Sequence, residues 1–250
     1  MILKNKTAII TGGGSGIGLA CAKLFCKNGA KVVIFGRRKS RLEKAVCEIG
    51  ENVIFFQGDI TQDQDVKELV SASLKHLNRI DILVNNAGIL RDKSFKNMDM
   101  KDWDIVMDVH LNGTGYVTKA AWPVMYEKNY GRIVFTSSTS GVFGNFGQAN
   151  YGAAKMGMLG MMNVLAIEGL SKNIKVNCLA PAAETRLIGT IPGIEVNPDD
   201  PDPMRHPKLV TPVVLLMCAK DAPTGQTFHA GNGQFSRSAV FVNQALQFDA

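Results

Sequence analysis

Short runs of β-branched and other apolar residues alternate along this chain with longer stretches whose apolar positions recur at helical spacing. That alternation is the mark of a parallel sheet covered on both faces by helices. Strands are expected at Thr7–Ile10, Val32–Phe35, Val53–Phe56, Ile82–Val84, Ile133–Phe135 and Ile174–Asn177. Helical patterns lie between them, near Gly16–Lys27, Lys39–Ile49, Gln62–His76, Asp99–Tyr126 and Tyr151–Leu170. The expected fold is α/β, a single doubly wound parallel sheet with helices on both faces. No internal repeat or flexible linker interrupts the pattern, so residues 1–250 are expected to form one domain.

One stretch departs from the pattern. From Pro181 to Pro207 the chain carries Pro181, Pro192, Pro198, Pro201, Pro203 and Pro207 and few periodic apolar positions, which predicts an irregular surface segment. It reads either as a lid over a site, 181–207, or as a plain connecting loop.

Composition narrows the function classes. At 250 residues, 46% hydrophobic and 20% charged, the chain is an ordinary globular sequence that needs no disulfide or metal to fold. The net charge of +6 is scattered except at Arg37-Arg38-Lys39 with Arg41, which argues against a nucleic-acid stripe and for a local phosphate site. Five cysteines in apolar segments read as reduced thiols. The four histidines share no ligand-like spacing, so no metal is expected. The amino terminus runs straight into the first strand, and no apolar run approaches the ~20 residues of a membrane span. These features together predict a soluble, cytoplasmic protein.

Thr11-Gly12-Gly13-Gly14-Ser15-Gly16-Ile17-Gly18 joins the first strand to the first helix. Glycines there let the backbone turn sharply and approach a diphosphate, while free N–H groups at the helix start face its charge. The series Gly12, Gly16, Gly18 is not Gly-x-Gly-x-x-Gly, and no Gly-Lys-Ser/Thr ending makes it a P-loop. In a Rossmann-like dinucleotide fold the end of the second strand distinguishes the nicotinamide cofactors, because a carboxylate there binds a free ribose 2′-hydroxyl and repels a 2′-phosphate. Here that place reads Phe35-Gly36-Arg37-Arg38, which favours NADP (NADPH) and leaves NAD possible. The plainer alternative is a solvated basic turn opening a helix.

Ser138 closes the strand that begins at Ile133, and Tyr151 and Lys155 lie four residues apart on one helical face. A tyrosine with an ordinary pKa of about 10 is a poor base at neutral pH, so an ammonium close by is needed to favour the phenolate. Lys155 is placed to supply it.

Together these motifs resemble the short-chain dehydrogenase/reductase family from Thr7 to about Gly233. The matching residues are Thr11–Gly18, Asp59-Ile60, Asn85-Asn86-Ala87-Gly88, Ser138, Tyr151 to Lys155, and Asn177–Pro181. The resemblance implies that Tyr151 exchanges a proton with the substrate oxygen, that Ser138 orients that oxygen, and that Lys155 binds the nicotinamide ribose and lowers the tyrosine pKa. It also implies that Gly12, Gly14, Ser15, Gly16, Ile17 and Gly18 cradle the diphosphate and Arg37 the 2′-phosphate. Asp59 with Ile60 would meet the adenine, Asn86 and Gly88 the adjoining ribose region, and Glu184, near Thr185, the nicotinamide amide.

Two departures from the family pattern stand out. His110 occupies the place of an asparagine that supports a proton-relaying water, and could hold that water itself or simply satisfy a backbone carbonyl. The usual Pro-Gly is Pro181-Ala182. Within the family, the stretches Asn85–Phe95, Asp102-Trp103-Asp104, Val109-His110-Leu111, Ala120–Pro123 and Gly144–Tyr151 are similar to the (3R)-hydroxyacyl-CoA dehydrogenase domains of peroxisomal multifunctional enzymes and to 3-oxoacyl-thioester reductases. That similarity implies an acyl thioester substrate and a place in fatty acid and lipid metabolism. An acidic residue is expected in those NAD-dependent domains where this chain has Gly36-Arg37.

The helix from Tyr151 is rich in small residues and methionine, including Ala153, Ala154, Met156, Gly157 and Met158. One face is expected to pack on the sheet and the other to meet a second copy, giving a homotetramer or dimer, unless the helix is buried within one chain. Two further functions stay open: NAD-linked oxidation of a hydroxyacyl-CoA or hydroxysteroid, and a non-catalytic sensor that binds the cofactor alone.

Overall fold

The computed structural model describes residues 1–185, 187, 189, 195–197 and 200–245. Its strands are β1 (Thr7–Thr11), β2 (Lys31–Gly36), β3 (Val53–Gln57), β4 (Ile82–Asn85), β5 (Gly131–Thr136), β6 (Ile174–Ala182), β7 (Thr227–Gly231) and β8 (Gln234–Ser238). They form one eight-stranded sheet in the order β3-β2-β1-β4-β5-β6-β7-β8. Pairing is parallel from β3 through β7, and β8 returns antiparallel along β7.

Alternation along each strand sends side chains to opposite faces. Ala8 and Ile10 of β1, Val32 and Ile34 of β2 and Val84 of β4 join one core with Cys21 and Phe25 of α1 (Gly16–Lys27), Leu42 of α2 (Lys39–Ile49) and Met217 of α8 (Thr211–Cys218). Ile9, Val33 and Leu83 face the other way, onto Leu69 of α3 (Asp63–Leu77), Val117 and Met125 of α5 (Gly113–Glu127) and Met158 of α7 (Ala149–Glu168). The doubly wound architecture follows directly. β1 lies between β2 and β4, so the crossovers diverge there and open a crevice at the carboxyl ends of the strands.

The structure corrects the single helix expected at Asp99–Tyr126. It is α4 (Met100–Met107), then a π-helical turn at Asp108–Asn112, then α5. The π-turn carries His110, and such turns are frequent at functional sites. Three elements were not expected: α6 (Thr139–Phe143), α8 and the β7–β8 hairpin. The hairpin turn is Asn232-Gly233, with φ of 53° and 71°. Both residues are left-handed, as a tight two-residue hairpin requires.

Within the expected segment 181–207, Pro181 and Ala182 complete β6, and Pro203–Arg205 forms a short 3-10 turn. Residues 186, 188, 190–194, 198 and 199 of that segment lie outside the described residues. Among the described residues no helix is long and apolar enough to cross a membrane. Met156, Val164 and Ile167 of α7 are exposed, on the helix expected to meet a second copy.

Candidate active site

A cleft of about 620 Å³ opens at the carboxyl ends of the strands. Its floor is the turn from β1 into α1. Gly12 and Gly16 have φ of 67° and 54°, a conformation that favours glycine. A Cβ on Gly18 would stand 2.4 Å from the Gly12 carbonyl oxygen, so Gly18 serves the close packing of helix on turn and does not line the cleft. Gly12, Gly14, Ser15, Gly16 and Ile17 do line it. The turn is pinned from below: Thr11 Oγ1 accepts from the backbone N–H groups of Asn86 (2.9 Å) and Ala87 (3.1 Å), and Asn86 Nδ2 donates to the Thr11 carbonyl (3.2 Å).

The start of α1 has the features of an anion site. Ser15, its N-cap residue, makes no side-chain cap bond, and the first turn holds no acid. The helix therefore presents uncapped N–H donors and the positive end of its dipole to the cleft. Farther along stand Arg37, Arg38 and Arg41, with Asp59 and Ile60 opposite. Arg37 Nη1 lies 3.6 Å from Asp59 Oδ2, and its side chain is 60% exposed. Burial and the neighbouring charges of Arg41 and Arg37 lower the Arg38 pKa. Three guanidiniums crowded together in this way attract a polyanion. A glycine cradle, a helix terminus and a cationic far end fit a nicotinamide dinucleotide that carries phosphate groups.

At the other end of the cleft, Ser138, Tyr151 and Lys155 come together. Ser138 caps α6, its Oγ accepting from Ser140 N at 3.1 Å, and its hydroxyl also bonds the Tyr151 phenol. Lys155 Nζ donates to the Thr136 carbonyl and stands 5.3 Å from the centroid of the Tyr151 ring. The lysine was expected to depress the phenol pKa, but in this chain burial prevails. It pushes Tyr151 up to about 12, with the Ser138 bond opposing the rise, and pushes Lys155 down to about 7.

His110 is fully buried behind the phenol, its ring edge-on to Tyr151 at 5.0 Å between centroids. Nε2 lies 2.7 Å from the Ile89 carbonyl oxygen and 3.1 Å from the Ile89 N–H, while Nδ1 is buried without a partner. The backbone contact foreseen as the plain alternative is thus present, and a second ring nitrogen remains for another ligand. Gly88 makes room for the ring, since a Cβ there would sit 2.5 Å from His110 Cε1. Glu184 is placed elsewhere: its Oε2 accepts from Asp202 N at 3.2 Å, its own N–H donates to the Arg205 carbonyl, and Thr185 rather than Glu184 lines the cleft. Sequence reasoning missed Thr136, whose carbonyl anchors Lys155. It also missed the hydrogen bond between half-buried Asp92 and buried Gln148, which only the meeting of two loops creates.

The short chain dehydrogenase family profile matches residues 6–188. This chain belongs to the short-chain dehydrogenase/reductase family. It is 42% identical over 238 residues to peroxisomal multifunctional enzyme type 2 of Mus musculus, covering 91% of this chain and 32% of that one. It is 35% identical over 260 residues to a putative short-chain type dehydrogenase/reductase of Mycobacterium tuberculosis, covering 99% and 89%. The full-length structure of the Drosophila melanogaster peroxisomal multifunctional enzyme type 2 superposes with a TM-score of 0.78 at 35% identity, over 96% of this chain and 40% of that one. A short chain dehydrogenase from Mycobacterium avium superposes at 0.85 with 28% identity, covering 100% and 90%. The chain thus spans about a third of the mouse multifunctional relative and nearly the whole of the mycobacterial ones.

Proposed function

We propose that this oxidoreductase reduces 3-oxoacyl thioesters to 3-hydroxyacyl thioesters with NADPH. The observation that carries the reading is the union, in one cleft, of an uncapped glycine-lined helix start, an arginine cluster where a 2′-phosphate would lie, and the Ser138–Tyr151–Lys155 set. A bound nicotinamide supplies the hydride. The chain's own groups handle the oxygen and its proton: Ser138 donates a hydrogen bond to the substrate carbonyl oxygen, and Tyr151, kept protonated at neutral pH, gives that oxygen its proton. Lys155 stands beside the phenol to restore the proton and to hold ribose hydroxyls. His110 Nδ1, buried without a protein partner, is the ring atom that would meet a water supplying protons to Lys155.

The acyl thioester class rests on the likeness to relatives named as peroxisomal multifunctional enzymes and as a hydratase-dehydrogenase-epimerase. The word dehydrogenase in one of those names favours a second reading, oxidation of a 3-hydroxyacyl thioester in the same site with NAD as the acceptor. The exposed apolar residues of α7 support assembly as a homo-oligomer.

A panel of 3-oxoacyl thioesters, ketosteroids and sugars assayed with NADPH and with NADH tests the proposal. Turnover of acetoacetyl-CoA with NADPH is expected, and Arg37→Asp should lower kcat/KM for NADPH about tenfold or more while sparing NADH. Preference of the unaltered protein for NADH would remove the NADPH assignment. Tyr151→Phe should cut turnover about 10²- to 10⁴-fold while the cofactor still binds.

A further inference from the structure

The chain leaves the sheet at a point where strand pairing can no longer hold it. Ala182, opposite Gly231 of β7, is the last residue of β6 with a ladder partner. Ala183 turns into the apolar core that it shares with Cys21 and Phe25 of α1. Thr185, two residues on, lines the cleft beside the glycine turn: a Cβ built on Gly16 would stand 3.3 Å from Thr185 Cγ2. A side chain that faces a ligand from beyond a strand end needs another anchor to stay in place.

That anchor is Glu184, which grips at two points. Its backbone N–H donates to the Arg205 carbonyl at 2.7 Å, and its Oε2 accepts from the Asp202 N–H at 3.2 Å. The turn it grips is stiff. Asp202 Oδ1 accepts from Met204 N at 2.9 Å, the Asp202 carbonyl accepts from Arg205 N at 2.9 Å, and Pro203 fixes the first φ of the 3-10 turn Pro203–Arg205. A second such turn, Pro207–Leu209, follows with Pro207 buried, and Val210 then enters the same core as α1. The result is a closed circuit that runs from α1 and its Gly16 start through Thr185, Glu184 and the 202–205 turn to Val210 and back to α1. Glu184 is only 9% exposed, and a carboxylate gives up its hydration at such a place only for hydrogen-bond partners.

We propose that Glu184 is a positioning residue for the bound dinucleotide: by clamping the end of β6 to the 202–205 turn, it holds Thr185 against the Gly16 turn. The inference rests on the reading that a nicotinamide dinucleotide fills the cleft. The carboxylate itself stays off the ligand, since Thr185 and not Glu184 lines the cleft. Without the clamp, binding has to order residues 183–185 as well as the ligand, which lowers affinity. The groups that handle the proton are untouched, because Ser138, Tyr151 and Lys155 are held by α6 and α7.

The test sets Glu184→Ala and Glu184→Met, which remove the acceptor, against Glu184→Gln, which keeps one. In the cofactor-free protein, hydrogen exchange at the Asp202 amide should quicken about tenfold or more in the first two and stay within about twofold of the parent in the third. Affinity for whichever of NADPH and NADH the parent binds, read from nicotinamide fluorescence, should weaken about five- to tenfold in the first two and return in Glu184→Gln. At saturating cofactor, kcat with acetoacetyl-CoA should change less than about twofold, so that the loss falls in the KM for the cofactor. In a double-mutant cycle, Glu184→Ala introduced after Thr185→Ala should weaken binding about twofold or less, because the side chain it positions is gone. A folded Glu184→Ala or Glu184→Met protein with the parent's exchange or the parent's affinity overturns the inference. So does an additive cycle, or a fall in kcat as large as the fall in affinity, which is what a merely structural loss gives. A parent that binds neither NADPH nor NADH would instead bring down the dinucleotide reading, whatever the Asp202 amide shows.

Discussion

At the amino-terminal ends of the strands, Arg132 of β5 is fully buried and its guanidinium donates five hydrogen bonds: to the carbonyls of Gly131, Asn173, Ala219 and Lys220 and to Asn173 Oδ1. Beside it Asp81 accepts from Thr7 N at 2.8 Å and from Arg79 Nη2 at 2.5 Å. At the carboxyl ends the accounting is different. Of the five buried side-chain polar atoms without a partner among the described residues, four stand there, on Asn85, Asp92, His110 and Thr136. Only the Tyr130 hydroxyl lies at the other end. One sheet therefore has a polar end paired almost entirely within the chain, which fixes the fold, and an end where several buried polar atoms find no partner in the chain itself. An unpaired buried polar group lowers stability, and such groups persist where function requires them.

The sharpest way to break this comparison is at Arg132. Arg132→Met keeps the apolar stem but strips partners from four backbone carbonyls that join β5, the turn before β6 and the end of α8. Unfolding in urea should show a loss of about 3–5 kcal/mol, while the remaining folded fraction keeps its kcat. A stability close to that of the parent would mean that water replaces the guanidinium, and the paired end would lose its structural meaning.

This asymmetry also explains what could be read from the chain. The six parallel strands that sandwich the cores were legible because their apolar runs are continuous and bounded by helical periods. β7 and β8 were not: Thr227–Gly231 and Gln234–Ser238 hold few β-branched residues, and the Asn232-Gly233 turn was their only strong signal. α8 escaped because Thr-Pro-Val-Val-Leu-Leu-Met-Cys is apolar all round and has no amphipathic period. In the site, the glycine turn and the Tyr151/Lys155 spacing are local patterns, so sequence showed them. The Asp92–Gln148 bond joins residues 56 apart and the Lys155–Thr136 bond residues 19 apart, and no window of sequence displays such pairs. The resemblance placed the segment near Glu184 and Thr185 at the nicotinamide amide, but the turn after β6 points the two side chains to different places, and only Thr185 lines the cleft.

Lys155 sharpens the comparison from the opposite side. Its pKa in the fold, about 7, is below the ordinary 10.5, so the stability tied to this group is complete above about pH 10.5 and is lost as pH falls toward 7. Between those values the unfolded chain binds a proton that the folded chain does not. Lys155→Met removes this linkage, at the expense of leaving the Thr136 carbonyl without its donor. At pH 7 the variant should gain on the order of 2 kcal/mol while losing turnover. A variant both less stable and inactive would show that the lysine is a structural tie like Arg132.

The smallest effect is expected at His110, and only in acid. Burial, then the charge of Lys155, hold its pKa well below 6.5, with the Ile89 bond opposing. Above about pH 6.5 neither folded nor unfolded imidazole carries a proton, and the group's contribution to stability is fully present. Below that value the unfolded chain takes up a proton that the folded site refuses, so stability falls by about 1.4 kcal/mol per pH unit until the folded pKa is reached. His110→Asn abolishes this one term and leaves the exposed carboxylates and the other histidines unchanged. Melting temperatures recorded from pH 7.5 to pH 5 should therefore fall more steeply for the parent than for the variant. Parallel curves would mean that the folded ring accepts the proton on Nδ1, the atom left without a partner, and the carboxyl end of the sheet would then already hold a charged relay before any substrate arrives.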